Sequence, residues 1–264
     1  MHGHQPRKRF GQNFLADGHY VNRIVAAIDP KPGEPIVEIG PGLGALTGHL
    51  IDRAGQVTAI EIDRDLVARL RERFTPAQLT LVEGDALEFD YATLGSGLRV
   101  VGNLPYNISS PLLFHLARFK ESLHDLHVML QKEVVDRMVA DAGTADYGRL
   151  SVMLQAQFKI AKLLNVPPGA FRPSPKVDSA VVRLRPLEER APAIDDPELF
   201  ARIVSAAFSQ RRKTLRNALA AICDAAVIAS AGIDPAARGE TLGVAQFVDL
   251  ANAVGRRGAL HPVV

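Results

Sequence analysis

Short apolar runs recur along the first half of the chain, each closed by a glycine or a polar residue and followed by an amphipathic stretch. Pro-Ile-Val-Glu-Ile, residues 35–39, reads as a short buried strand that breaks at Gly40. Residues 45–54 then read as a helix and 56–60 as a second strand. Residues 64–74 carry Leu66, Val67 and Leu70 at helical spacing, and a third strand follows at 79–82. Val100 and Val101 belong to a fourth strand and 127–130 to a fifth. Strands alternating with helices predict βαβ units, hence an α/β fold with a doubly wound, mostly parallel sheet. Residues 177–184 alternate between apolar and polar, as an antiparallel strand does, and are expected at the sheet's edge.

After Pro186 the pattern changes. The stretch LEERAPAIDDPE is charged and bears prolines, and the chain beyond it is rich in alanine and helical in period. The expected division is a larger α/β domain over 1–186 and a small α-helical domain over 187–264, joined by a linker near 187–196. There is no internal repeat and no low-complexity segment.

Composition narrows the class of protein. Of 264 residues, 47% are hydrophobic and 23% charged, the balance of an ordinary soluble globular chain. The polar, basic start carries no apolar run of the signal-peptide kind. The most apolar stretch, 219–233, is interrupted by Asp224 and Gly232 and is too short to span a bilayer. Cys223 is the single cysteine, which excludes a disulfide framework and any zinc site built on cysteine pairs; no metal is expected. Cytoplasmic residence is the expectation.

The net charge is only +2 but is unevenly spread. Arg7, Lys8 and Arg9 form one basic cluster, and Arg211, Arg212, Lys213 and Arg216 another. Each alone fits a solvated face; together they point to a polyanionic partner. If 208–219 is helical, 212 and 216 lie one turn apart with 213 beside them, so the positive charges share a face.

The first chemical motif is VEIGPGLGALT, residues 37–47. Gly40, Gly42 and Gly44 permit a tight turn and close approach of a ligand to the backbone, just before a helix. Glu61 ends the next strand, about 20 residues on, where a carboxylate binds ribose hydroxyls. A nicotinamide-type G-x-G-x-x-G fingerprint fails, because the sixth position is Ala45 counted from Gly40 and Thr47 counted from Gly42. Glu-x-Gly-x-Gly-x-Gly followed by an acid is instead the pattern of S-adenosyl-L-methionine enzymes. Asp85 follows the third strand, placed to accept a hydrogen bond from the cofactor's adenine amino group, and Asn103 ends the fourth. Open parallel sheets bind ligands at the carboxyl ends of their strands, where all four signals fall.

The second motif is VVGNLPYNISSPL, residues 100–112. Pro105 cannot continue a strand, so the sheet ends by presenting an amide, a carbonyl and an aromatic ring. A purine's exocyclic nitrogen is a poor nucleophile because its lone pair is delocalised. Two acceptors aimed at its hydrogens favour a pyramidal nitrogen and stabilise the positive charge that develops on it. The Asn103 side-chain oxygen and the Leu104 carbonyl, held by Pro105, suit that task, and Tyr106 offers a stacking face. A sulfonium donor is already activated, so no general base is required.

The segments RKRFGQNFL, VEIGPGLGALT, VVGNLPYNISSPLLF, MLQKEV, YGRLSV, FRPSPKVDSAVVRL and FSQRRKTLRNAL together resemble the small-subunit ribosomal RNA adenine dimethyltransferases, the KsgA family, over nearly the whole chain. The resemblance implies a Rossmann-like S-adenosyl-L-methionine-dependent methyltransferase sheet with a small helical RNA-binding domain. It implies that Asn13 and Leu15, in a segment closing over the cofactor, join Gly40, Gly42, Glu61, Asp85 and Asn103 in cofactor binding. It implies a catalytic set of Asn103, Leu104, Pro105 and Tyr106, with Phe171 as a second stacking face, and RNA binding by Arg211, Arg212, Lys213 and Arg216. The implied reaction places two methyls on each of two adjacent adenosines in a hairpin loop near the 3′ end of 16S rRNA, within the 30S subunit or its precursor, by a monomeric enzyme. Three other readings stay open: an Erm-type enzyme of large-subunit rRNA, an assembly factor whose binding matters more than its methylation, and a DNA adenine methyltransferase.

Overall fold

A computed structural model describes residues 12–188, 193–210 and 212–260. The chain forms two compact units, Met1–Val135 with Ile160–Pro186, and Asp136–Lys159 with Leu187–Val264.

The first unit opens with a short strand β1 (Phe14–Leu15) and helix α1 (Gly18–Ile28). The Asp17 carboxylate accepts the His19 N–H and caps the helix, whose Val21, Ile24, Val25 and Ile28 recur at helical spacing and are buried. Strand β2 (Ile36–Ile39), helix α2 (Thr47–Ala54), strand β3 (Val57–Glu61), helix α3 (Arg64–Arg73) and strand β4 (Leu79–Glu83) follow. Next come β5 (Leu98–Asn103), helix α4 (Ser109–Ala117), β6 (Leu123–Gln131) and helix α5 (Lys132–Met138). After helix α6 (Arg149–Gln155), which belongs to the second unit, come β7 (Phe158–Val166), β8 (Phe171–Arg172) and β9 (Ser179–Pro186). The seven-stranded sheet has the order β4-β3-β2-β5-β6-β9-β7. Pairs β4–β3, β3–β2, β2–β5 and β5–β6 are parallel, while β9 runs antiparallel to β6.

Parallel strands are covered on both faces, which explains why β2 is buried throughout and β5 as far as Gly102. A methyl on Gly102 would lie 2.6 Å from the Ile39 carbonyl oxygen on the neighbouring strand, so only glycine lets β2 and β5 approach this closely.

The expected antiparallel strand is present but is not outermost: β9 lies between β6 and β7, and β7 forms the edge. Its buried residues Ser179–Val182 fit an interior strand, whereas β7 has half-buried positions at 160–163 and exposed ones at Lys159 and Asn165. The helix expected from residue 45 begins at Thr47, because residues 42–46 are still turning.

At the amino end of β5 a buried ion cluster braces the sheet. Arg99 makes a bidentate pair with Asp125 on β6 at 3.0 and 3.1 Å and reaches Glu34 at 2.6 Å. Its remaining donors go to the carbonyls of Ile28 and Asp29 at 2.7 and 3.3 Å. Burial opposes ionisation of Asp125, but His127 and Arg99 overcome it and hold the carboxyl well below the usual carboxylate range.

The second unit is helical: α7 (Pro197–Ser209), α8 (Leu215–Ala218), α9 (Ala225–Ser230) and α10 (Val244–Leu260). Asp196 caps α7 by accepting the N–H groups of Glu198 and Leu199, with Pro197 at the first helical position. Phe200, Ile203, Val204, Leu215, Ile228, Phe247 and Val248 fill its core. Residues 136–159 belong here, not with the α/β domain to which the sequence pattern assigns them. Ala140, Tyr147 and Val152 join the helical core, the Tyr147 hydroxyl donates to the Leu242 carbonyl at 2.9 Å, and the Gly143 N–H donates to Glu240 at 2.8 Å. A composition change marks only one of the points where the chain crosses between units.

The basic segment does not form one helix over 208–219. Helix α7 stops at Ser209, the Lys213 N–H closes a turn onto Gln210, and α8 starts afresh after Thr214. The Leu215 N–H bonds the Ala237 carbonyl and the Arg216 N–H that of Pro235, so tertiary contacts replace the helical ladder. Arg212 and Arg216, four positions apart, would also repel each other on a continuous helix. Arg212, Lys213 and Arg216 are exposed. Arg211, like the Arg7–Arg9 cluster, lies outside the described residues.

Candidate active site

A cavity of about 270 Å³ opens at the carboxyl ends of β2, β3, β4 and β5. Its wall holds Asn13, Leu15, Gly40, Gly42, Glu61, Asp85, Asn103, Leu104, Pro105 and Tyr106, all singled out from the sequence. Sheet register explains the convergence. Ile39 pairs with Ile60 and with Gly102, and Glu61 with Glu83, so the residues that end these strands are neighbours.

The turn after β2 takes positive φ at Gly40 (63°), Gly42 (60°) and Gly44 (79°). At Gly42 the constraint is double, since a methyl there would also sit 3.0 Å from the Phe14 ring. Glu61 ties this turn to β3: its Oε2 accepts the Gly42 N–H at 3.2 Å and its Oε1 the Asp63 N–H at 2.9 Å. Burial raises the Glu61 carboxyl above its ordinary range, against the pull of those N–H groups. The Gln12 amide donates to Asp63 at 2.9 Å, linking the N-terminal segment to the same network. Asp85 accepts the Leu87 N–H at 2.8 Å, which holds its carboxylate in place.

The Asn103–Tyr106 turn is pinned along its length. The Asn103 Nδ2 donates to the Asn13 carbonyl at 2.8 Å, which leaves Oδ1 as the acceptor that the side chain offers to a ligand. The Leu104 N–H donates to Met129 at 3.1 Å, with the leucine side chain fully buried. The Tyr106 ring reaches Ser179, hydroxyl to hydroxyl, at 2.6 Å.

Phe171 is absent from this wall. It pairs with Leu15 in a two-stranded ribbon of β1 and β8 and is fully buried in the core. Stacking on a flipped base needs an exposed face, so the structure removes Phe171 from the catalytic set and gives it an anchoring place beneath the N-terminal segment.

Glu38 lines the cavity without having been singled out as a site residue. Its Oε2 has no hydrogen-bond partner. Burial pushes its carboxyl up to about 7, with Glu61 adding to the shift and Thr47 opposing it. The folded state therefore holds a proton between pH 4.5 and 7 that the unfolded chain has released, and stability falls as pH rises through that window. Glu38→Gln is expected to remove the Glu38 share of the fall, about 3 kcal/mol, and leave the smaller share of Glu61, raised in the same direction. Denaturation midpoints at pH 5 and 7.5 check this, and an unchanged pH dependence would count against it.

Known proteins share this arrangement. The family described as "Ribosomal RNA adenine dimethylase" matches residues 3–255. A "Ribosomal RNA small subunit methyltransferase A" from Aromatoleum aromaticum is 58% identical over 97% of this chain and 97% of its own. One of the same name from Thiobacillus denitrificans is 59% identical over 92% of this chain and 96% of its own. Among solved structures, a dimethyladenosine transferase from Plasmodium falciparum superposes with a TM-score of 0.81 at 26% identity, covering 93% of this chain and 98% of that one. The 23S rRNA methyltransferase ErmE does so with a TM-score of 0.71 at 29% identity, covering 92% and 100%. A proline turn that brings an asparagine amide and a tyrosine to the cavity, beside a glycine turn braced by an acid, accords with these matches, and the chain belongs to the ribosomal RNA adenine dimethylases, S-adenosylmethionine-dependent methyltransferases of rRNA.

Proposed function

We propose that this enzyme dimethylates the exocyclic amines of two adjacent adenosines in the 3′-terminal hairpin loop of 16S rRNA, acting as a cytoplasmic monomer on the small subunit or its precursor. The observation that carries the proposal is the Asn103 amide, turned by the Asn13 carbonyl so that its oxygen is offered as an acceptor.

The cavity suits S-adenosylmethionine. Glu61 and Asp85 line it with acceptors for a nucleoside, and the glycine turn lets that nucleoside lie against backbone. The bound cofactor supplies a methyl already activated on a sulfonium. Glu61 would hold the ribose hydroxyls, Asp85 the adenine amino group, and the 12–15 segment with Gly40 and Gly42 would enclose the remainder. Glu61→Ala should weaken cofactor binding by about 1.5–3 kcal/mol, the scale of hydrogen bonds to a charged group; calorimetry showing unchanged affinity would contradict that role.

Asn103 Oδ1 and the Leu104 carbonyl would accept hydrogen bonds from the target amine and stabilise its developing positive charge. Tyr106 would stack on the base once it leaves the helix or loop stack. The surplus proton passes to solvent after transfer, since the product ammonium is acidic.

Arg212, Lys213 and Arg216 are proposed to contact rRNA phosphates. Their reversal to Glu should abolish stable binding to small subunits and spare cofactor affinity, and wild-type binding should weaken steeply with salt. A variant that bound and methylated subunits normally at physiological salt would make the segment ordinary solvated surface. The proposal as a whole is tested with labelled cofactor on unmethylated small subunits, large subunits and DNA. Label confined to small subunits supports it, and label confined to large subunits favours the Erm-type reading suggested by ErmE.

A further inference from the structure

The Tyr106 hydroxyl finds its partner far from its own turn. It meets Ser179 at 2.6 Å, 73 positions along the chain on β9, and that serine is fully buried. Ser179 is itself fixed, because it pairs with Gln131 at the end of β6. The Tyr106 backbone is held separately, its carbonyl accepting the Ser109 hydroxyl at 3.1 Å. A tyrosine has two side-chain torsions. The backbone pin and the hydroxyl pin together fix the first torsion and the direction in which the ring extends, while the hydroxyl oxygen lies on the axis of the second. Burial raises the Tyr106 hydroxyl above its ordinary pKa, with the Ser179 bond working the other way, so the phenol keeps its proton and has no part as a base.

We infer that Ser179 is a positioning residue for methyl transfer: its hydroxyl fixes the direction in which the Tyr106 ring extends from the turn and thereby where the target base stacks relative to the Asn103 and Leu104 acceptors. The inference rests on the reading of Tyr106 as a stacking surface. It also gives the DSAVV stretch, which carried the family resemblance without a role, a connection to the chemistry. Base position matters steeply, because a misplacement of about 1 Å in a reacting group costs on the order of 10²-fold in rate.

The test uses Ser179→Ala, Tyr106→Phe, the double variant and Tyr106→Ala in the full-length enzyme. Each is assayed for kcat/KM on unmethylated small subunits, for cofactor affinity and for melting temperature. Ser179→Ala and Tyr106→Phe should each lower kcat/KM roughly tenfold or more, with cofactor affinity unchanged. The double variant should be no worse than either single one, since all three lack the same bond. Its melting temperature should recover toward wild type, because neither hydroxyl is left without its partner, while its kcat/KM should not. Recovery of kcat/KM together with stability would reduce Ser179 to a structural contact and overturn the inference. Normal kcat/KM in Ser179→Ala beside an impaired Tyr106→Ala would also overturn it while leaving the stacking reading in place. Normal methylation by Tyr106→Ala would defeat the stacking reading and the inference with it.

Discussion

Asn103→Ala is expected to lower methyl transfer by on the order of 10²-fold or more, the scale of losing one preorganised group that acts on charge developing in a transition state. Cofactor affinity should stay within a few-fold, because Glu61, Asp85 and the glycine turn are separate from the Asn103 amide. Asn103→Asp should fare little better. It keeps an acceptor but replaces the Nδ2 donor with a second oxygen facing the Asn13 carbonyl, and repulsion would swing the group away. Single-turnover rates at saturating cofactor check both variants. Near-normal transfer by Asn103→Ala would remove it from the catalytic role.

The second large effect lies at the other end of the same strand. Asp125→Ala should destabilise the protein by about 3–5 kcal/mol, because it leaves the buried Arg99 guanidinium without its bidentate partner. Arg99 and Asn103 are four residues apart on β5, or about 13 Å along an extended strand, so the site should keep its cofactor affinity while the fold weakens. The pH dependence carries a sign. Asp125 is depressed when folded, so its contribution is present above the unfolded value of 3.8 and is lost as pH falls toward the lower folded one. Denaturant unfolding should therefore show a shallower acid loss in Asp125→Asn than in wild type. A loss of under about 1 kcal/mol for Asp125→Ala would mean that the pair behaves like a solvated one.

Much of the α/β unit was legible because buried parallel strands must be continuous apolar runs, and such runs stop where a ligand-binding loop begins. That logic located the ends of β2, β3 and β5 and, through them, Gly40, Glu61 and Asn103. Strand order inside the antiparallel part was not legible, because residues 158–166 (FKIAKLLNV) mix lysines with apolar residues as an edge strand does and carry no turn signal of their own. Phe171 was misplaced because an aromatic beside prolines looks alike in sequence whether it faces a ligand or a core. Only the β1–β8 pairing reveals which. Glu38 was visible within the glycine motif, yet nothing in the sequence says that a strand carboxylate will be buried with one oxygen unpartnered. The basic segment shows the reverse error. Its basic composition is plain in the sequence, but the helix assumed for it yields to the hydrogen bonds that Leu215 and Arg216 make with residues 237 and 235.

Everything proposed for catalysis depends on the Asn103-Leu104-Pro105-Tyr106 turn directing methyl groups to an exocyclic adenine nitrogen. The decisive experiment is mass spectrometry of nucleosides and fragments from small-subunit rRNA after incubation with enzyme and labelled cofactor. The expected product is N6,N6-dimethyladenosine at two neighbouring positions of the 3′-terminal hairpin loop, with none formed by Asn103→Ala. Methyl groups on a ring nitrogen, on a ribose hydroxyl or on another base would contradict that role for the turn.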